Sequence, residues 1–503
     1  MIKIPRTLAT QHPDNANIPY WNSDAFVSTA KEVEECYRSF ADLACDEYMW
    51  DWEGKFVDEA VVDRLYSKYY DYFYTHPLGK EKRLTFRVPN ISKEGPSRLS
   101  RAFSGILSAS YSASELKLYS PPIFEVIHPM TQSSSELIQL QKKFMETARF
   151  QAKIFGVKKL NPDHLEIIPL IEGTDSLLKS RKILEQYTQF MHKLSGKRPT
   201  WIRPFIARSD PALDGGFLAA VLSAKAALSE YFKFERDTGI KVYPMIGTGS
   251  LPFRGGLNPK SISGFIKTYP GISTVTLQSA FRYDYPLEEV KKAIAWLNKK
   301  LPDSGRCIYN EHEMRELHTL DAIFVRHYRN TIEELSEFVN SIARHIPARR
   351  ERIQHTGHFG YSRQVGKAGI KLPRAITFTA VFYSIGVPPE LIGLGRGLKE
   401  AEDRGLTPAL EKLYPQLKED LQNISCYLNR ENLEQLAKKI EPFQEVQKGM
   451  VHVENYLGTK LGPRKHEDFL HRNYTSNVLR RFFMKQELQE DIVQAAKIRH
   501  SIG

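Results

Sequence analysis

Long apolar runs and cysteines are both scarce in this sequence. No apolar stretch reaches the about 18 residues that a membrane-spanning helix needs, and the opening "MIKIPRTLATQHPDN" lacks the apolar core and cleavage site of a signal peptide. The four cysteines show neither a C-x-x-C pair nor zinc-finger spacing. These absences predict a cytoplasmic protein without a membrane partner, whose thiols are free rather than disulfide-bonded.

The glycine-rich stretch "YPMIGTGSLPFRGGLNP", residues 243 to 259, lacks both common nucleotide-binding patterns. Pro252 stands where a dinucleotide fingerprint needs its third glycine, and no G-K-[ST] follows as in a phosphate-binding Walker loop. Two interpretations remain open: an ordinary turn-rich loop, or a loop that presents Gly247, Gly249 and Arg254 to an anion.

The net charge of +12 admits nucleic acid or small polyanionic molecules as partners. Basic residues alternate with acidic ones, and a basic tail, a helix-turn-helix pattern and an RNP-type aromatic motif are all missing. We therefore expect no nucleic-acid partner. A basic binding protein stays open as a competing interpretation, recognisable by a steep salt dependence of its affinity.

Eight short apolar runs predict β-strands: "RTLATQHP", "CDEYMWDW", "RLTFRVPN", "FEVIHP", "LEIIPLIE", "RPFIARSD", "KVYPMIGT" and "STVTLQSA". Amphipathic helical patterns lie between several of them, with N-caps predicted at Ser133 to Ser135 and at Asp175. Eight alternations predict an α/β fold, a (β/α)8 TIM-type barrel over residues 1–290.

Beyond about residue 290 the pattern becomes helical, in "PLEEVKKAIAWLNKKL", "TIEELSEFVNSIARHI", "LEQLAKKIEPFQEVQ" and "SNVLRRFFMKQELQEDIVQAAKI". No Gly, Ser or Pro linker separates the two parts, so we expect residues 291–503 to pack on the barrel as additional helices of the same unit. A Gly-rich basic passage at about 355–374 interrupts them and resembles a second anion-binding loop.

Polar residues stand at the carboxyl end of nearly every predicted strand. They are His12, Asp51 with Glu53, Arg87, His128, Glu172, Asp210, the Gly247 loop and Gln278. The carboxyl rim of a (β/α)8 barrel is where active sites form, so these residues are expected to converge there.

Glu172 and Asp210 follow consecutive predicted strands and have no thiolate nearby in sequence. Such hard oxygen ligands suit Mg²⁺ or Mn²⁺ and not zinc, although a general acid–base pair remains an alternative. Four arginines in strand-end or Gly-rich contexts, Arg87, Arg254, Arg363 and Arg374, predict binding of phosphate and carboxylate groups.

Several segments carry a family resemblance. They are "TQHPDN" at His12, "LTFRVPN" at Arg87, "VIHPMTQSSSELIQL", "IIPLIEGTDSL" at Glu172, "ARSDPALDGG" at Asp210, the glycine-rich stretch at Arg254, "YSRQV" at Arg363, "PRAITF" at Arg374 and the final Gly503. Their unbroken order resembles phosphoenolpyruvate carboxylases of the short, archaeal type.

The resemblance implies carboxylation of phosphoenolpyruvate by bicarbonate to oxaloacetate and phosphate. It implies that Glu172 and Asp210 hold Mg²⁺ or Mn²⁺, and that His12 takes the proton from carboxyphosphate before the enolate attacks CO2. Arg254 would act in catalysis. Arg87, Arg363 and Arg374, with Gly247 and Gly249, would bind the substrate. A homo-oligomer, a tetramer, is implied by the family alone.

The chain departs from longer members of the family at two phosphate-side cations. Ile246 and Thr248 stand where their loop has histidine and its first arginine, and Leu213 stands at the place of a lysine. Arg208, Arg282 or Lys367 are candidate replacements. A citrate-lyase-like enzyme of the same barrel group, which also carries an acidic metal pair, remains the alternative function.

Overall fold

The computed structural model describes residues 3–156, 161–351, 363–365 and 370–503. Its centre is a closed barrel of eight parallel strands, which confirms the predicted (β/α)8 fold. The barrel strands are β1 (Thr7–Thr10), β2 (Glu47–Asp51), β3 (Arg83–Arg87), β4 (Glu125–His128), β5 (Glu166–Ile171), β7 (Phe205–Ala207), β9 (Met245–Gly247) and β10 (Thr274–Leu277). Each lies within one of the eight predicted runs.

Pairing between the first and last strands closes the barrel. Thr7 pairs with Val275, and on the other side of β1 Leu8 pairs with Glu47 of β2. Two further short strands, β6 (Trp201–Ile202) and β8 (Lys241–Val242), pair with each other just before β7 and β9. Because all barrel strands are parallel, their carboxyl ends meet on one rim.

Side chains fill the barrel interior. The apolar cluster consists of Leu8, Met49, Ile127, Ile168, Leu170, Phe205, Ala207 and Met245. Six of the eight barrel strands contribute to this cluster, which includes no residue of β3 or β10. The interior is therefore a solid core that supports the rim.

An ionic network lies at the amino ends of the strands. Arg203, fully buried, donates to Glu47 Oε2 at 2.6 Å and to Glu125 Oε1 at 2.8 Å. Arg83 pairs with the other oxygen of Glu125, and Thr274 accepts from Arg203 at 3.2 Å. Each buried charge thus has an opposite partner, which is the condition under which ions are tolerated in an interior.

Helices surround the barrel between its strands. They are α1 (Glu32–Ala41), α2 (Val61–Thr75), α3 (Pro96–Glu115), α4 (Ser134–Phe155), α5 (Thr174–Leu178), α6 (Ser180–Ser195), α7 (Ser209–Gly215), α8 (Phe217–Thr238), α9 (Ile262–Thr268), α10 (Ser279–Tyr283) and α11 (Leu287–Lys300). Short 3-10 turns cover Thr29–Lys31, Pro252–Arg254, Leu301–Asp303 and Pro389–Leu391.

Helix starts agree with the predicted caps at one of the two places. Ser133 caps α4 in a capping box with Glu136, as the sequence predicts. The N-cap predicted at Asp175 is wrong, because α5 begins at Thr174 after Gly173 and Asp175 lies in its first turn. There the carboxylate still lies near the positive end of the helix dipole.

The remaining helices are α12 (Glu311–Ile332), α13 (Ser336–Ala343), α14 (Ala375–Ser384), α15 (Leu394–Asp403), α16 (Thr407–Leu413), α17 (Leu417–Ser425), α18 (Arg430–Lys439), α19 (Pro442–Leu457), α20 (His466–Phe483) and α21 (Gln489–Ile498). A hairpin of β11 (Arg363–Val365) and β12 (Ile370–Leu372) precedes α14. Helix α12 packs on α8, and α14 contacts α7. Helix α8 is buried on nearly all sides because it lies between the barrel and α12.

All four cysteines are free, and Cys36 and Cys45 are buried. Among the described residues no single helix has both the length and the apolar composition to cross a membrane. One pair, Ala375–Ser384 with Pro389–Asp403, reaches that length and composition together but is bent by 92°.

Candidate active site

A cleft lies at the carboxyl rim of the barrel, and its empty space, counted together with the open solvent at its mouth, is about 1280 Å³. Most of the predicted site residues line it: His12, Arg87, Glu172, Asp210, Gly247, Arg254 and Arg374. Glu53 and Gln278, also singled out at strand ends, line it too. Residues far apart in sequence therefore meet in one place because parallel strands end on the same rim.

Two residues from the strand ends are not among those that line the cleft. Asp51 pairs with Arg87. His128 is buried, with Nδ1 2.8 Å from Thr131 Oγ1, and burial lowers its pKa to about 4. His128 is therefore neutral at pH 7, and its contact with Thr131 is a structural one.

Glu172 and Asp210 are placed by neighbouring strands. Glu172 follows β5 directly, and Asp210 lies in the first turn of α7, three residues after β7 ends. Both side chains are half-buried and line the cleft. Within the described parts of the chain no group of three or more His, Cys, Asp or Glu residues is arranged to hold a metal. Two carboxylates facing one cleft fit a hard ion that takes its other ligands from water and substrate.

Arg87 is held by two carboxylates at the end of β3. Its Nε donates to Asp51 Oδ1 at 2.9 Å, Nη2 donates to Asp51 Oδ2 at 2.7 Å, and Nη1 lies 3.0 Å from Glu53 Oε2. Burial acts to lower the pKa of Arg87, but attraction to Asp51 and Glu53 outweighs it and raises the pKa. The clamp fixes the orientation of a permanently charged guanidinium beside the cleft.

His12 lies just beyond β1. Its Nδ1 is 2.9 Å from Thr10 Oγ1, so the last residue of the strand orients the imidazole ring. Asp14, two residues later, is fully buried and accepts a hydrogen bond from the Ala280 N–H at 2.7 Å. The loop that carries His12 is thus attached to the helix after β10.

Arg254 connects four parts of the chain. Nη1 donates to Asp14 Oδ2 at 3.0 Å and to the Gly503 carbonyl at 2.6 Å, Nε donates to Ser209 Oγ at 3.2 Å, and Nη2 donates to Gln278. Burial lowers its pKa, against the attraction of Asp14. These contacts fix the position of the Arg254 guanidinium, and Arg254 both lines the cleft and connects distant segments of the chain.

The glycines before Arg254 allow close approach of side chains. A Cβ atom at Gly249 would lie 2.6 Å from Arg254 Nη1, and one at Gly247 would lie 3.0 Å from Phe205 Cε2. Both distances are shorter than or at the limit of real contacts, so a side chain at Gly249 would displace the guanidinium. In the described conformation, the role of Gly249 is to let the Arg254 side chain pack against the backbone.

Backbone N–H groups of this loop are bonded inside the protein. Thr248, Gly249 and Phe253 donate to Thr276 Oγ1 at 2.8 Å, to the Arg254 carbonyl at 2.8 Å and to Glu390 Oε1 at 2.7 Å. The described loop is thus a compact turn. Anion binding by the bare backbone of Gly247 and Gly249 stays a prediction.

The second predicted anion loop, at about 355–374, is described only in part. Residues 352–362 and 366–369 lie outside the described residues, and so does Lys367. Arg363 lies in β11 opposite Leu372, and its side chain is also outside the description. Arg374, the N-cap of α14, lines the cleft.

A segment that sequence analysis did not predict closes one side of the cleft. Residues 346–350 follow α13 and line it, including Arg349 and Arg350. Arg350 Nη2 donates to both oxygens of Glu35, at 2.5 and 2.6 Å. Although burial acts to raise it, the pKa of Glu35 is lowered to about 2 by Arg350 and Arg282. The cluster of arginines in "HIPARRER" was the only signal for this contribution.

The candidate cations differ in their surroundings. Arg282 is fully buried and donates to Glu35 at 3.0 Å, to the Thr10 carbonyl at 2.6 Å and to Ser39 at 2.9 Å. Those contacts give it a structural role outside the cleft lining. Arg208, by contrast, lines the cleft.

The fold and the cleft define a class of protein. A closed parallel barrel with carboxylates and arginines along its carboxyl rim is the architecture of a (β/α)8-barrel enzyme with a site for small anions.

Comparison with known proteins gives the family. A model of the family described as phosphoenolpyruvate carboxylase matches residues 4–503. A curated phosphoenolpyruvate carboxylase of Oenococcus oeni is 40% identical over 482 residues, which cover 95% of this chain and 94% of that protein. Those of Metallosphaera sedula and Methanothermobacter thermautotrophicus are 38% and 36% identical, with 100% of both chains covered. The chain belongs to the phosphoenolpyruvate carboxylase family, and the predicted resemblance is confirmed.

Proposed function

We propose that this protein carboxylates phosphoenolpyruvate with bicarbonate and releases oxaloacetate and phosphate. The observation that carries the proposal is the convergence of His12, Glu172, Asp210, Arg87 and Arg254 on one cleft in a member of this family. A substrate with a phosphate and a carboxylate needs several guanidinium groups and a hard cation in one place, and the cleft offers ligands for both.

Glu172 and Asp210 are the proposed ligands of Mg²⁺ or Mn²⁺. A bound divalent ion would act as a Lewis acid toward the oxygen atoms of the substrate. The two carboxylates are half-buried, follow consecutive barrel strands and line the same cleft. Their placement on strand ends rather than on a long loop supports a fixed distance between them.

The arginines would bind the anions and stabilise charge during phosphoryl transfer. Three of the five N–H donors of Arg87 are engaged by Asp51 and Glu53, and Arg87 also lines the cleft. Arg254 and Arg374 line the same cleft. Preorganised donors of this kind stabilise a transition state without reorganising when the charge moves.

His12 would act as the base. Bicarbonate oxygen attacks phosphorus, which gives carboxyphosphate and the enolate of pyruvate. His12 then takes the carboxyl proton as carboxyphosphate breaks into CO2 and phosphate, and the methylene carbon of the enolate attacks CO2. Thr10 supports this role because its hydroxyl orients the ring from 2.9 Å. Exclusion of water matters, since a proton delivered to the enolate would yield pyruvate.

The test couples purified protein, phosphoenolpyruvate, bicarbonate and Mg²⁺ to malate dehydrogenase and follows NADH. We expect NADH loss that needs both bicarbonate and metal. Asp210→Asn should lower the rate by about 100-fold or more and weaken Mn²⁺ binding measured by electron paramagnetic resonance. No loss in the wild type, with the protein folded and metal present, would contradict the proposal and favour carbon–carbon cleavage as the assay to run next.

A matched control lies in the same helix. Asp214, also in α7, pairs with Arg329 at 2.8 Å and accepts from Thr174 at 3.1 Å, and it is not among the residues that line the cleft. Asp214→Asn should therefore keep turnover and Mn²⁺ binding. Equal losses in both variants would mean that Asp210 acts through the stability of α7 and not as a metal ligand.

The assembly and location we propose rest on the family: a homotetramer in the cytoplasm. Three apolar side chains near the carboxyl end of α4 support an interface, since Phe150, Ile154 and Phe155 are 58–70% exposed. Light scattering of the purified protein measures the mass. A monomer at micromolar concentration would contradict the assembly and leave the proposed chemistry untouched.

A further inference from the structure

Arg208 is a buried arginine whose charge acts on Asp420 and Tyr269 but whose two terminal nitrogens form no hydrogen bond to the described residues. It follows β7, is 0% exposed, and its backbone N–H donates to the Gly247 carbonyl at 3.0 Å. Nε donates to Tyr269 Oη at 2.7 Å. Neither Nη1 nor Nη2 has a hydrogen-bond partner among the residues that the structure describes.

That situation is unusual within this protein. Other buried arginines of the described chain that have an orphan nitrogen, such as Arg203, Arg282 and Arg350, lack a partner at Nε alone and pair through Nη with carboxylates. A guanidinium cannot lose its charge in a protein, and an unmet buried donor is costly. Arg208 therefore has binding capacity that the described fold leaves unused.

Arg208 lies near Thr248, one of the two positions at which the expected phosphate-side cations are absent. A Cβ atom on Gly255 would lie 2.6 Å from Thr248 Cγ2 and 3.4 Å from Arg208 Cβ, so both side chains pack against the same glycine. Thr248 is 1% exposed, and its Oγ1 has no partner among the described residues. By the family resemblance alone, it stands where longer members carry an arginine. Arg208 also lines the cleft beside Asp210.

We propose that Arg208 supplies, from the end of β7, the positive charge that longer family members supply from the position of Thr248, and that Nη1 and Nη2 bind phosphate oxygens. This inference rests on the proposed function, since it assigns Arg208 to the phosphate of the substrate and product. Burial strengthens the interaction, because a charged hydrogen bond gains more where water is excluded. Binding would break no hydrogen bond that the described structure shows at Nη1 or Nη2.

The first experiment measures binding of inorganic phosphate without turnover. Thermal unfolding is followed against phosphate concentration, with chloride at equal ionic strength as the reference. We expect Arg208→Gln to weaken phosphate binding by about 10- to 100-fold, the loss of one or two charge-assisted hydrogen bonds. Arg208→Lys should fall between that variant and the wild type. Unchanged binding in Arg208→Gln would overturn the inference.

Two controls separate binding from stability. Arg282→Gln removes another fully buried arginine, whose contacts lie with Glu35, and it should leave the phosphate response unchanged even if the protein melts earlier. If Arg208→Gln does not fold, Arg208→Lys decides: phosphate binding equal to wild type would overturn the inference, and binding measurably weaker than wild type would support it.

A further variant moves the positive charge from position 208 to position 248, and a purely structural role of Arg208 would not predict its effect on phosphate binding. Thr248→Arg in the Arg208→Gln background returns the arginine to the loop, where the shortened side chain leaves room. We expect the double variant to bind phosphate at least tenfold more tightly than Arg208→Gln. No recovery in the folded double variant would overturn the inference that positions 208 and 248 serve the same phosphate site. If the wild type is inactive but binds phosphate, and Arg208→Gln loses that binding, the proposed carboxylation is refuted. The phosphate site at Arg208 is then still supported.

Discussion

Glu390 gives the sharpest test of the energetics, because it joins the Arg254 loop to α14 while carrying a buried carboxyl group. It is 1% exposed, and its Oε1 accepts from both the Phe253 N–H at 2.7 Å and the Tyr383 hydroxyl at 2.8 Å. Burial raises its pKa to about 7. The folded protein therefore holds a proton that the unfolded chain would release at its ordinary pKa of 4.5.

The sign of the effect follows from that difference. Below pH 4.5 the group is protonated in both states and costs nothing, whereas between pH 4.5 and 7 the folded state is destabilised progressively as pH rises. Above pH 7 the penalty stays constant at about 3 kcal/mol, because each unit of pKa corresponds to about 1.4 kcal/mol.

Glu390→Gln keeps the oxygen that accepts both hydrogen bonds and cannot ionise. Relative to the wild type, the variant should gain about 2.5 kcal/mol in free energy of unfolding between pH 5 and pH 8. Urea unfolding followed by tryptophan fluorescence at both pH values measures this double difference. Glu434→Gln, at an exposed position in α18, is the matched control and should show a double difference near zero. An advantage of Glu390→Gln that does not grow with pH would refute the reasoning.

Three other substitutions test packing and chemistry. Gly249→Ala places a methyl group 2.6 Å from Arg254 Nη1, so turnover in the coupled assay should fall about 100-fold, and wild-type turnover would contradict the packing role. Arg203→Met leaves the buried Glu47 without its arginine and Glu125 with Arg83 alone, and it should lower the free energy of unfolding by about 3–5 kcal/mol in urea, with kcat of the folded enzyme kept. His12→Asn should still release phosphate when bicarbonate is present but make pyruvate, seen with lactate dehydrogenase; unimpaired oxaloacetate formation would exclude His12 as the base.

The barrel was predictable because its strands repeat one physical pattern. Each of the eight runs is short, apolar and bounded by Pro, Gly or charge, and each contains a barrel strand, as "LEIIPLIE" contains β5. The pairing of β6 with β8 was not predicted, since two-residue strands have no periodicity to read.

Helix boundaries beyond about residue 290 were harder to predict from the sequence. The stretch read as helical over 433–447 breaks at Pro442, which begins α19, and the stretch over 476–498 breaks at Lys485, whose φ is +57°. The stretch over 331–346 spans the end of α12 and all of α13. Helix α12 itself was missed, although Asn310 and Glu313 form a capping box that announces its start.

Residues at the strand ends could be chosen from the sequence as site candidates, but their contacts could not be predicted. His12, Glu172 and Asp210 could be chosen because each follows an apolar run. No local pattern indicates that residues 346–350 return to the cleft, or that Arg254 donates to Gly503. Such contacts depend on packing between distant segments, which a single sequence does not encode locally.

Pairing of β1 with β10 also sets an order of events during synthesis. Thr7 pairs with Val275, so β1 gains its second neighbouring strand only after roughly 270 further residues have been synthesised. This takes about 15 to 50 s at ribosomal rates of about 5 to 20 residues per second. Until then one edge of the nascent sheet is unpaired and its apolar side chains are only partly covered. Chaperone dependence should therefore be greatest for chains halted before residue 275, and it should fall once β10 has left the ribosome.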